Sequence, residues 1–149
     1  MNCDPTAAER SEIFVAIQVA SRLDAQGMTG RAIAAMDALA KVWPSVGGIR
    51  VYLCWYLRRG EYFDEAIKQG LLAIQMLPRS SYASLVMFQA LWDAGEKAEA
   101  IAEIRRFLPL RRSKEKTPHY EEILRRWDAG DRAAADRVVV TLNKEDFGE

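Results

Sequence analysis

The chain has 149 residues and a mass of 16.8 kDa, about one domain of ordinary size. Lys+Arg and Asp+Glu both number 21, which argues against a protein that works mainly by coating nucleic acid, and a hydrophobic content of 50% argues against wholesale disorder. Two Cys cannot build a disulfide framework, no apolar run approaches the roughly 18 residues that cross a bilayer, and residues 1–10 lack the basic and apolar stretches of a secretory leader, so the cytoplasm is the expected compartment.

In chain order the apolar residues fall at helical spacing, and 22 Ala against 5 Pro suit helices. A first unit reads Phe14, Ile17, Leu23, a turn at Gln26-Gly27, then Ala32, Ile33, Met36, Leu39 and a stop at Pro44. A second reads Ile49, Leu53, Cys54, Leu57, an interruption at Arg59-Gly60, then Phe63, Ala66, Ile67, Leu71, Ile74 and Pro78. A third reads Met87, Phe88, Leu91, Gly95, Ala100, Ile101, Ile104, Leu108 and Pro109. After a charged linker at 111–117, Trp127-Asp128-Ala129-Gly130 echoes Trp92-Asp93-Ala94-Gly95 at 35 residues, which predicts a closing pair of helices at about 118–128 and 131–142. Its outer faces carry Glu121, Arg125, Arg132 and Arg137, as a terminal pair with one side in water requires.

The units repeat. Ala32-Ile33, Ala66-Ile67 and Ala100-Ile101 are 34 residues apart; Leu23, Leu57 and Leu91 keep the same step, as do Pro44 and Pro78. Gly27 and Gly95 differ by two periods, while Gly60 falls one residue early. Each unit is expected to be a helical hairpin in which a small residue early in the second helix allows close crossing.

A 34-residue helix–turn–helix period with Gly at the turn, Ala early in the second helix and Pro at the end resembles the tetratricopeptide repeat (TPR). The strongest matches are Gly27, Ala32 and Pro44; Gly60, Ala66, Ala73 and Pro78; Gly95 and Ala100. Where that family has a small residue in the first helix this chain has Ala20, Cys54 and Phe88, and the bulk of Phe88 is expected to tilt the third pair. The resemblance implies an all-α TPR-like helical-hairpin solenoid in one domain over 1–149, with repeats at about 10–44, 45–78 and 79–112 and a capping pair at about 118–143.

The resemblance also implies a non-enzymatic protein-binding module whose first helices line a concave groove. The groove places are Ile17, Ser21 and Asp24 in the first unit, Val51, Tyr52, Trp55 and Arg59 in the second, and Tyr82, Leu85, Val86, Gln89 and Trp92 in the third. Aromatic and aliphatic groups of this kind suit an apolar peptide segment or an amphipathic helix of a partner. The alternative is that Tyr52, Trp55, Tyr82 and Trp92 pack within the chain. A basic and Asn-lined clamp for a C-terminal carboxylate is absent: Ile17, Ser21, Tyr52, Tyr82 and Val86 hold its places. In size, repeat number and groove character the chain resembles the small bacterial TPR chaperones of type III secretion, so a cytoplasmic chaperone for a protein with an apolar segment is an expectation. A homo-oligomer is left open.

No enzymatic site is expected. His119 is the only His and lacks companion metal ligands, Cys54 falls on a packed helix face, and Glu121-Glu122 and Glu145-Asp146 are sequence neighbours that diverge on a helix. No Gly-rich phosphate loop is present, so no cofactor, metal, small-molecule substrate or membrane insertion is expected. One charged segment offers a second reading. Arg105, Arg106, Arg111, Arg112, Lys114, Lys116, Arg125 and Arg126 face only Glu115, Glu121 and Glu122, a basic run that a nucleic-acid-associated regulator would use and that a solvated linker also explains.

Overall fold

The computed structural model describes residues 4–112, 117 and 119–145. These form α1 (Ala7–Ala25), α2 (Thr29–Val42), α3 (Gly47–Arg59), α4 (Phe63–Met76), α5 (Ser81–Asp93), α6 (Lys97–Phe107), a short 3-10 turn (Leu108–Leu110), α7 (Tyr120–Asp128) and α8 (Arg132–Glu145). The chain is all-α, a stack of TPR-like helical hairpins with no strand among the described residues. Helix starts follow side-chain chemistry: Thr6 and Glu9 form a reciprocal capping box on α1, Ser80 Oγ accepts from Ala83 N–H at α5, and Asp131 Oδ1 accepts from Ala134 N–H at α8.

The periodic leucines mark the turns. Leu23, Leu57 and Leu91 each accept, through the backbone carbonyl, a hydrogen bond from the N–H five residues on: Met28, Tyr62 and Glu96, at 2.8, 2.9 and 2.9 Å. This closure needs a left-handed residue between them. Gly27 and Gly95 supply it with φ of 80° and 86°, and Gly130, φ 79°, does the same where Asp131 N–H donates to Arg126 O. In the second hairpin Gly60 keeps an ordinary φ of −81°, and Glu61 takes φ 64° instead. The left-handed position thus keeps the 34-residue register although the glycine is one place early.

Helices cross where side chains are smallest. Ala32, Ala66, Ala73, Ala100 and Ala135 are fully buried. Gly70 in α4 is tighter still: a methyl group there would lie 2.8 Å from Met87 Sδ and 3.2 Å from Cys54 Sγ, so three helices meet at one residue without a side chain. The core divides into one cluster built from α1–α5 and another from α5–α8, with Ile67 and Ile74 packed against both. Phe88, the large residue at a small-residue place, heads the second cluster, with its ring centroid 5.6 Å from Trp92 and 5.5 Å from Tyr120. Two residues assigned by spacing to apolar faces are exposed, Phe14 on α1 and Leu71 on α4.

The closing pair does more than end the stack. α7 docks on α5 and α6 through Tyr120, whose Oη shares a 2.9 Å hydrogen bond with Ser84 Oγ and whose ring meets Phe107 edge-on. α8 then turns back onto α5: Gln89 Nε2 donates to Asn143 Oδ1 at 2.9 Å, and Val139 and Leu142 are buried in the cluster that holds Leu85, Phe88 and Trp92. Glu121, Arg125, Arg132 and Arg137 stay on the surface.

Candidate protein-binding groove

The first helices α1, α3 and α5 lie side by side, so their residues share one wall. α3, between the others, is buried nearly all round: Ile49, Val51, Leu53, Cys54, Trp55, Tyr56, Leu57 and Arg58 are all inside. Of the groove candidates, Ser21, Tyr52, Arg59 and Tyr82 are exposed and Ile17 is half-buried. Val51, Trp55, Leu85, Val86, Gln89 and Trp92 are buried. Trp55 and Trp92 are therefore not the open aromatic area that helical spacing implies. Trp55 lies under two guanidinium groups, Arg58 at 4.6 Å and Arg59 at 5.7 Å from its ring centre. Trp92 is held between Phe88 and Trp127, with the Lys97 ammonium 5.0 Å from its ring centre.

What remains open is a cleft of about 360 Å³ between α1 and α3, lined by Ser21, Asp24, Ala25, Tyr52, Trp55, Tyr56 and Arg59. Its polar floor is already matched. Asp24 accepts from Thr29 Oγ1 at 2.7 Å and pairs with Arg59 Nε at 2.7 Å, and Ser21 Oγ and Tyr56 Oη share a 2.7 Å hydrogen bond. Burial pushes the Tyr56 phenol up from its ordinary value, and the Ser21 hydrogen bond pulls the other way. With its charges paired and its walls aromatic, the cleft is suited to accepting a side chain rather than to acid–base chemistry. Tyr56, central to it, was absent from the candidates because its hydroxyl depends on Ser21, 35 residues away, and no local spacing reports that. The same holds for Asn143.

The other chemical candidates find structural roles. Cys54 is fully buried, its Sγ donates to Val86 O at 3.5 Å, and desolvation by burial raises its pKa to about 12, which leaves no thiolate nucleophile at neutral pH. His119 is half-buried at the start of α7 and lines a cleft of about 270 Å³ with Glu122, Arg126, Ala134, Arg137, Val138 and Thr141. No cluster of metal-ligating side chains occurs among the described residues. In the basic segment Arg105 pairs with Asp128, Arg106 with Glu103, Arg111 with Glu121, and Arg125 and Arg126 with Glu122. Hydrogen bonds from Arg125 and Arg126 hold the Glu122 carboxyl down at about 2. Lys114, Glu115 and Lys116, like Cys3 and Asp146, lie outside the described residues. No described helix is long and apolar enough to cross a membrane.

No protein-family profile matches the sequence, and no curated protein does. Solved structures do share the fold. A structure titled "MamA RS-1 ArsTM double mutant" superposes with a TM-score of 0.64 at 15% identity, over 87% of this chain and 72% of that one. Residues 41 to the end of MamA from Desulfovibrio magneticus RS-1 give 0.64 at 14% identity, over 90% and 75%. MamA contains TPRs, and the likeness places this chain in the same all-α helical-repeat architecture.

Proposed function

We propose that the chain is a non-enzymatic protein-binding module that holds an apolar peptide segment or an amphipathic helix of a partner against the wall formed by α1, α3 and α5. The observation that carries this reading is the aromatic cleft between α1 and α3, with Tyr52 exposed in it and Tyr82 exposed on the next first helix. Both can give contact area at little entropic cost. The nucleic-acid alternative is less well supported, because the described arginines of the basic segment, Arg112 apart, are paired with carboxylates of the same chain. The two solved structures named above are of MamA, and neither supports a role in type III secretion.

Selection of ligands from a displayed peptide library, followed by titration calorimetry, tests the proposal. Tyr52→Ala and Tyr82→Ala should each weaken a selected peptide by about 1–2 kcal/mol while costing no more than about 1 kcal/mol of stability. Binding should change little between low and high salt, whereas nucleic acid would dissociate steeply. If both variants keep full affinity, the wall is not the site.

A further inference from the structure

Gln89 is fully buried, yet only half of its amide is matched: Nε2 donates to Asn143 Oδ1 at 2.9 Å, while Oε1 has no hydrogen-bond partner. Asn143 belongs to α8. The same helix places Val139 and Leu142 in the apolar cluster with Leu85 and Trp92. Nearer its start, Asp136 pairs with Lys97 at 3.0 Å, and the Lys97 ammonium stands 5.0 Å from the Trp92 ring centre. One amphipathic helix of this chain therefore meets Gln89 directly and shares a core cluster with Leu85 and Trp92, three of the places that the groove reading gives to a partner.

We propose that α8 is an in-chain stand-in for the partner, and that the partner at this end of the wall is an amphipathic helix of the same chemistry. It carries a carboxylate facing Lys97, aliphatic side chains three and six residues later against Leu85 and Trp92, and an amide one residue beyond facing Gln89, the pattern of Asp136, Val139, Leu142 and Asn143. This rests on the groove reading. The unmatched Oε1 marks the weak point of the in-chain contact, since a buried acceptor without a donor is unfavourable.

A fluorescein-labelled synthetic peptide of residues 131–145, read by anisotropy, tests this on the full chain. It should bind the Leu142→Ser variant roughly tenfold or more tighter than the unaltered protein, and adding Gln89→Ala should remove the gain. Equal affinity for both, or no binding to either, overturns the proposal. Since Leu142 is a core residue, hydrogen exchange of the unaltered chain gives an independent readout: α8 amides should exchange on the order of 100-fold faster than those of α3. An α8 that exchanges only with the whole molecule overturns it too. A library-selected ligand that is lost with Tyr52→Ala but indifferent to Gln89→Ala sinks the stand-in and spares the groove reading. Indifference to both Tyr52→Ala and Tyr82→Ala sinks the groove reading itself.

Discussion

Arg58 in α3 and Asp93 at the end of α5 are joined at 3.1 Å, but they sit in unlike surroundings: the Arg58 side chain is 8% exposed and that of Asp93 31%. Arg58 also lies over the Trp55 ring and leaves its Nε buried without a hydrogen-bond partner. Removing one partner of a buried pair strands the other charge, and the more buried charge is the costlier one to strand. Asp93→Ala, which removes both the charge and the acceptor, should therefore destabilise by about 2 kcal/mol, whereas Arg58→Met, which keeps the stem packed and leaves a carboxylate that water can reach, should cost under about 1 kcal/mol. Denaturant midpoints in the reverse order would show that desolvation of Arg58 is not what the pair offsets.

The same pair predicts a pH effect. Burial raises the Asp93 pKa above 3.8, and the charge and hydrogen bond of Arg58 only partly oppose it. A raised folded value means that the folded chain binds this proton more tightly than the unfolded one. The corresponding stability is fully present below the unfolded pKa and is lost as pH rises through the folded value. Stability measured upward from pH 3.8 should thus carry a falling component from Asp93, and the Asp93→Asn variant should lack it. An identical profile for the two proteins would remove the burial argument.

Glu61 occupies a left-handed conformation, φ 64°, that its counterparts Gly27 and Gly95 adopt without a side chain. For an L-residue that region costs roughly 1–2 kcal/mol. Glu61→Gly should therefore stabilise by about 0.5–1 kcal/mol after the entropy of the added glycine is deducted, and Gly95→Ala should destabilise by a similar amount. Thermal melts that move the other way for Glu61→Gly would mean that the Glu side chain makes a compensating contact.

Much of the architecture was legible because it depends on local periodicity. Ala32, Ala66 and Ala100 announce the crossings at a fixed step, and all three are fully buried. Glu61 was not legible, since Gly60 beside it looked like the turn residue and only backbone geometry distinguishes them. Trp55 and Trp92 misled for a different reason. Helical spacing separates two faces, but α3 has α1, α2, α4 and α5 around it, so Trp55 on its second face is also enclosed, and Trp127 of α7 covers Trp92 on α5. The return of α8 onto Gln89 joins residues 54 positions apart, a distance at which sequence pattern carries no contact information.

Gly70 offers a test of the three-helix meeting point. Its added methyl would lie 2.8 Å from Met87 Sδ, which can swing aside, and 3.3 Å from Met87 Cα, which cannot. Gly70→Ala should destabilise by about 1–3 kcal/mol, outweighing the helix-propensity gain of about 1 kcal/mol, and Ala66→Leu should cost a comparable amount through overpacking. A stabilised Gly70→Ala variant would show that α4 and α5 can separate freely.

Cys54 should be chemically silent in the folded chain. Its thiol is fully buried, and desolvation raises its pKa to about 12. In a Cys3→Ser background, an Ellman reagent should label no thiol at pH 8 until denaturant unfolds the chain, because both access and thiolate are lacking. Rapid labelling under native conditions would place Cys54 at the surface and reopen a reactive role.

Trp55 and Tyr82 separate the two meanings of an aromatic on the wall. Trp55 is 8% exposed and Tyr82 49%. Replacing a buried Trp with Ala removes its contacts and leaves a cavity, at about 3–5 kcal/mol, and here it also strips the aromatic surface from beneath Arg58 and Arg59. Trp55→Ala should therefore melt as early as Leu57→Ala, or earlier. Truncating Tyr82 removes far less buried area, so Tyr82→Ala should stay within about 1 kcal/mol of the unaltered chain. Any binding lost with Trp55→Ala then follows unfolding, whereas binding lost with Tyr82→Ala reports contact. Thermal melts run beside titrations of one selected peptide tell them apart. A Tyr82→Ala variant that melts with Trp55→Ala would make Tyr82 part of the packed wall and move the open face towards Tyr52 and the α1–α3 cleft.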